Sequence, residues 1–142
     1  MKFKQFLNED VIDGLKLGKA DMAYIKSIDP EDLGGFGWAK RKDYKYEVYT
    51  VLDSNDTKIG AIGITIIGNF PFLQIVVDPK FRNQNMFLRF VNLMMKDLSI
   101  KTLFSKVFKV NVPSVKAHMK SGFKEVYNDP QKDFIYYSFE RS

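Results

Sequence analysis

Residues 72–98 read FLQIVVDPKFRNQNMFLRFVNLMMKDL, and the hydrophobic period changes inside this stretch. Phe72-Leu73-Gln74-Ile75-Val76-Val77 is a short apolar run halted by Asp78-Pro79, the pattern of a mostly buried strand ending in a turn. Met86, Phe87, Phe90, Val91, Met94 and Leu98 then recur at spacings of three and four, which predicts a helix over 84–98. A buried strand feeding a helix through a short polar loop is one side of an α/β unit. The unpaired amides at such a helix start favour phosphate, so this loop is the first place to seek a site.

Working outward, KYEVYTVL at Lys45 to Leu52 alternates, with Tyr46, Val48 and Thr50 on one face and Glu47, Tyr49 and Val51 on the other. Asp53 to Asp56 reads as a turn and Lys58 to Ile67 as the return strand, in which Gly60 and Gly63 mark close backbone approach or a bulge. Gly68-Asn69 turns the chain into the opening strand, giving a three-strand antiparallel meander. Upstream, a helix is predicted from Asn8 with Val11, Ile12, Leu15 and Leu17 inward. A second helix is predicted from Asp21 to Ile28, followed by a loop with aromatic anchors, PEDLGGFGW. Downstream, Thr102 to Val107 reads as a strand. Asn111 caps a further helix with Pro113 in its first turn, Val112, Val115 and Met119 inward and Gly122 at its end. Phe123 to Tyr127 and Phe134 to Phe139 are the last two strands. No linker or repeat interrupts this order, so residues 1–142 are expected to form a single α/β (α+β) domain, one mixed, mostly antiparallel sheet with helices on it.

Composition narrows the chemistry. The 142 residues contain no cysteine and one histidine, which excludes thiolate catalysis, disulfides and cysteine-ligated zinc and leads to the expectation of no metal site. A net charge of +5 favours an anionic ligand, but it is spread along the chain. The basic, aromatic run Lys40 to Tyr46 is explained by strand alternation with fewer assumptions than by stacking on nucleic acid. No run approaches the length of a membrane span and the N-terminus lacks a signal-peptide pattern, so the expectation is a soluble cytoplasmic protein.

Val77-Asp78-Pro79-Lys80-Phe81-Arg82-Asn83-Gln84-Asn85-Met86-Phe87 and Asn111-Val112-Pro113-Ser114, with Gly122-Phe123, resemble the two signatures of the GCN5-related N-acetyltransferase (GNAT) family. The first family signature runs from a strand ending Val-x-Pro, through an aromatic, to Arg or Gln-x-x-Gly-x-Gly or Ala opening a helix. The element order from about Lys45 to Phe139 agrees with the family as well. The resemblance implies a GNAT-like fold, acetyl-coenzyme A as cofactor, and transfer of an acetyl group to a primary amine of a small molecule or protein by direct attack. It also implies cofactor contacts from Ile75, Val76 and Val77, from Arg82, Asn83, Gln84, Asn85, Met86 and Phe87, and from Asn111 and Ser114. Here Asn85 and Phe87 replace the two signature glycines, so the pyrophosphate loop is degenerate. Asn tolerates left-handed backbone; Phe87 either joins the helix's apolar face or narrows the phosphate site.

For the acid that protonates the leaving thiolate the family commonly has a tyrosine four residues before Gly-Phe, where this chain has His118. Tyr127 and Tyr137 are the alternatives. Glu47, Asp32 and Glu31 are candidates for handling the acceptor's proton. The replaced glycines also raise a second reading, an inactive binding or structural module on the same fold. A homodimer through an edge strand is a further expectation, Phe134 to Phe139 being apolar enough to need cover.

Overall fold

The computed structural model describes residues 14–29, 45–82 and 85–141. The start of the helix predicted from Asn8, the glycine and aromatic loop with Glu31 and Asp32, and Asn83 and Gln84 lie outside these residues. In chain order the described elements are β1 (Lys16–Lys19), α1 (Met22–Ile28), β2 (Lys45–Leu52), β3 (Lys58–Ile67) and β4 (Phe70–Val77). They continue with α2 (Met86–Asp97), β5 (Thr102–Phe108), α3 (Val112–Lys120), β6 (Lys124–Tyr127) and β7 (Phe134–Glu140). The strands form a seven-stranded sheet in the order β1-β2-β3-β4-β5-β7-β6. Every neighbouring pair is antiparallel except β4 and β5.

Side chains alternate across this sheet and divide its two faces. Ile62, Ile64 and Leu73 face α2 and pack with Phe90, Val91 and Met94 into the larger core. Ala61 and Val76 face the other way and pack with Ile25 and Ile28 of α1. Helix α1 therefore covers one face, and α2 and α3 cover the other. Across β5 and β7 the face on the α1 side carries aromatic residues. Phe104 meets Phe70 edge-on at 5.3 Å between centroids, and Phe72 meets Tyr136 at 5.9 Å.

Three expectations need correction. Leu15 and Leu17 do not belong to a helix: Lys16–Lys19 is an edge strand paired with Tyr49 to Leu52, because that register lets Leu17 pack on the main core. The Phe134 to Phe139 segment is not an edge, since β7 sits between β5 and β6, so its backbone is paired on both sides within this chain. In α3, Val112 and Met119 are exposed, and the buried residue is His118.

Gly60 explains how α2 comes so close to the sheet. Val51 pairs with Gly60 but Leu52 pairs with Lys58, which leaves Ile59 as an extra residue on β3. A Cβ on Gly60 would lie 2.4 Å from the Val76 carbonyl oxygen and 2.7 Å from the Phe90 ring. Backbone and a fully buried ring cannot both retreat. Gly60→Ala is expected to lower stability by roughly 1–3 kcal/mol, the usual cost of overpacking. Urea unfolding should show this as a lower midpoint at unchanged slope.

Candidate functional site

β4 meets β5 at a single ladder position, Phe72 opposite Phe104, and then diverges from it. Beyond that position the strand edge at Ile75, Val76 and Val77 lines a cleft of about 530 Å³. Arg82, Asn85, Met86 and Phe87 line it from the loop and the start of α2, and Asn111 and Ser114 line it from the start of α3. These residues are brought together by two polar anchors, one on each side of the divergence.

On the β4 side the anchor is Asp78, which is buried. Its backbone N–H donates to the Ile59 carbonyl at 2.9 Å. Its carboxylate accepts from Lys80 N–H at 3.0 Å, capping the short 3-10 turn Pro79–Phe81. It also accepts from the Tyr24 hydroxyl of α1 at 2.8 Å. Burial, followed by this contact with the carboxylate, pushes the Tyr24 phenol well above its ordinary range, so it remains a donor. Just beyond the turn, Arg82 Nε donates to the Val77 carbonyl at 3.1 Å, which holds the guanidinium at the end of β4.

Asn85 has the left-handed backbone that the signature glycine would supply, with φ 55° and ψ 29°. The first helical hydrogen bond of α2 runs from Arg89 N–H to the Asn85 carbonyl at 3.0 Å. The amides of Met86, Phe87 and Leu88 thus precede the helical ladder, and the Asn85 side chain does not cap them. Phe87 lines the cleft and also packs inward, its ring 4.6 Å from His118 and 5.7 Å from Phe123. Phe87 therefore packs with the core aromatics while bordering the cleft.

On the β5 side the anchor is His118, only 2% exposed. Its Nδ1 lies 2.7 Å from the Ser114 carbonyl, which can only accept, so Nδ1 carries the proton. Nε2, 2.8 Å from Ser105 Oγ, then accepts from that hydroxyl. The ring stacks on Tyr137 with centroids 5.0 Å apart. Burial lowers its pKa to about 4, against a smaller opposing effect of the Ser114 bond. His118 is thus a neutral core group with both nitrogens engaged, not a cleft acid; it fastens α3 to β5.

The other predicted catalytic residues are dispersed. Tyr127 on β6 is 42% exposed, 3.3 Å from Asp129 and outside the cleft. Tyr137 is fully buried beneath His118. Glu47 on β2 accepts from the Tyr49 hydroxyl at 2.6 Å and does not line the cleft either. Sequence reasoning missed Asp29 at the end of α1, and Ala117, Lys120 and Ser121, all of which line the cleft. The α3 residues were legible in principle, since Pro113, Ala117 and Lys120 continue the helical spacing of one face. Asp29 carried no local signal.

This architecture has counterparts among solved proteins. Campylobacter jejuni N-acetyltransferase PseH, in complex with acetyl coenzyme A, superposes with a TM-score of 0.63 over 90% of this chain and 99% of its own, at 21% identity. The chain has the GNAT-like acetyltransferase fold. Spermidine N-acetyltransferase from Vibrio cholerae, in complex with CoA and spermine, gives a TM-score of 0.62 over 90% and 96% of the two chains at 14% identity. An acetyltransferase from Thermus thermophilus gives 0.68 over 90% and 97% at 10% identity. No protein-family model and no curated protein sequence matches the chain. Among the described residues of this GNAT-like fold, no group of three or more metal-binding side chains converges, and no helix is long and apolar enough to cross a membrane.

The state of His118 has a measurable consequence. Its folded pKa lies below its unfolded value near 6.5, so its contribution to stability is complete above that pH and is lost as pH falls toward about 4. The loss is on the order of 3 kcal/mol. Chemical unfolding between pH 7 and pH 4 should therefore show a steeper fall for the native chain than for His118→Gln, with the two curves converging at the acid end.

Proposed function

We propose that this chain is an acetyl-coenzyme A-dependent N-acetyltransferase that passes the acetyl group directly to a primary amine. The observation that carries this reading is the coincidence, in one cleft, of an unpaired strand edge at Ile75 to Val77 with a helix start opened by a left-handed Asn85. The residues fit the cofactor's chemistry. The amides of Met86 to Leu88 and the positive end of α2 suit a diphosphate, and the Arg82 guanidinium adds a charge-assisted donor. Asn85 supplies the backbone geometry of a glycine, so the degenerate loop retains its shape at that position. Asn111 and Ser114 border the path from this end toward β4 and suit the polar groups of a pantetheine arm.

Bound acetyl-coenzyme A supplies an acyl thioester. Backbone donors on the free edge of β4 polarise its carbonyl and meet the charge that develops on that oxygen. An ammonium acceptor first loses one proton to water; its nitrogen then bonds to the carbonyl carbon as the carbon–sulfur bond breaks. The second proton leaves nitrogen and ends on the thiolate, giving an amide, free coenzyme A and one released proton. A thiolate near pKa 8.5 is a competent leaving group. Water relay and positioning therefore suffice without an imidazole acid, in keeping with the buried, neutral His118.

Calorimetric titration tests this directly. Acetyl-coenzyme A should bind, and Arg82→Ala should weaken binding by roughly tenfold, the scale of one charge-assisted contact. Absence of binding by the folded protein would overturn the reading and leave a binding or structural module on the same fold.

A further inference from the structure

Helix α1 is secured to the sheet without the hydroxyl of Tyr24. At its start the Asp21 carboxylate accepts from Tyr24 N–H at 3.1 Å and forms an ion pair with Lys58, while Asp21 N–H donates to Thr50 Oγ1 at 2.9 Å. In its middle Ile25 is fully buried and packs with Ala61 and Val76. The Tyr24 phenol makes a further bond of its own, reaching from the helix to Asp78 at the end of β4. Burial, and then that carboxylate, keep the phenol protonated and donating.

Asp78 divides its two carboxylate oxygens between different elements. Oδ2 accepts from the Tyr24 hydroxyl of α1 at 2.8 Å, and Oδ1 accepts from Lys80 N–H of the turn Pro79–Phe81 at 3.0 Å. The torsion that turns a carboxylate about its stem is soft, so a donor on one oxygen also fixes where the other points. The Tyr24 ring cannot readily swing away, because the Lys58 ammonium lies 5.7 Å from its centroid. Lys58 precedes Ile59, whose carbonyl accepts from Asp78 N–H at 2.9 Å. Tyr24, Lys58, Ile59 and Asp78 thus close a circuit between α1, the bulge of β3 and the end of β4. The turn held by this circuit leads directly to Arg82, which is exposed and lines the cleft. Its Nε donates to the carbonyl of Val77, the residue before Asp78. An exposed guanidinium has wide rotamer freedom, so its place depends on the backbone that presents it.

We propose that Tyr24 is a positioning residue for cofactor binding: through Asp78, its hydroxyl sets the turn that presents Arg82 to the diphosphate of acetyl-coenzyme A. This rests on the acetyltransferase reading. Tyr24 touches no part of the cofactor. It acts by orienting the Asp78 carboxylate, which holds the Lys80 amide, and the turn in turn places Arg82. Without the hydroxyl, the ring and the packing of Ile25 remain, but one oxygen of Asp78 loses its donor and the turn is held less closely. The binding energy of Arg82 is then partly spent on ordering its own loop.

A double-mutant cycle on the full chain tests this, with acetyl-coenzyme A affinity measured by calorimetry and folding checked by urea unfolding. Tyr24→Phe should raise the Kd by about fivefold, the scale of one hydrogen bond. In the Arg82→Ala background the same change should cost less than about twofold, because the side chain that Tyr24 serves is already gone. Thr50→Val is the control: it removes the acceptor of Asp21 N–H and so loosens α1 without touching Asp78. It should lower the urea midpoint and leave the Kd within about twofold of the native value. An unmoved Kd in Tyr24→Phe would overturn the assignment, as would a full fivefold loss on top of Arg82→Ala. Weakening by Thr50→Val equal to that by Tyr24→Phe, or failure of Tyr24→Phe to fold, would overturn it too, since the hydroxyl would then serve the fold and not the loop. Failure of the native chain to bind acetyl-coenzyme A would instead overturn the acetyltransferase reading itself.

Discussion

A carboxylate inside a fold must be met by donors, and that of Asp78 is met by two. Its side chain accepts from Lys80 N–H and from the Tyr24 hydroxyl, while its backbone N–H reaches back to Ile59 on the bulge of β3. One residue thereby fixes where β4 stops, where α1 lies and where the loop to α2 begins. The close approach at Gly60, which lets Phe90 sit against the sheet, lies beside the same bulge. Removing either Asp78 or its donors would leave a buried polar group without its partners, a larger penalty than the loss of a surface ion pair.

His118 has the corresponding place across the gap. It joins α3 to β5 through Ser105 and its own helix through Ser114, and its ring forms part of an aromatic stack with Phe87, Phe123 and Tyr137. The two strands are thus held apart by separate sets of bonds, one rooted in each. A sheet left to itself would continue its ladder, because unpaired strand edges are costly when buried. Here the edge of β4 is left open along the cleft.

The cleft follows from that opening. A sheet normally separates its two faces, and helices on opposite faces share no surface. Divergence of β4 from β5 joins them, so one cleft is lined by Ile28 and Asp29 from the α1 side and by Met86, Phe87, Asn111 and Ser114 from the other.

Much of this architecture was legible in local sequence. The period change within 72–98 located β4 and α2, alternation located β2 and β3, and Asn111, Pro113 and Gly122 bounded α3, since each of these signals depends on neighbours along the chain. Ile75, Val76, Val77, Arg82, Asn85, Met86, Phe87, Asn111 and Ser114, which the family resemblance singled out, line one cleft. What the chain could not disclose locally was pairing and orientation. Leu15 and Leu17 suited a helix until β2 offered a strand partner, and the last strand looked like an edge until β6 took that position. His118 stood where an acid is expected, yet its protonation is set by burial, by Ser105 from another strand and by a carbonyl from its own helix. Asp29 came to line the cleft only when α1 was laid against Val76. Sequence alone determined the elements and the loop that suits phosphate; tertiary structure decided which side chains reach the cleft and which are sealed from water, because desolvation and partner geometry act across space, not along the chain.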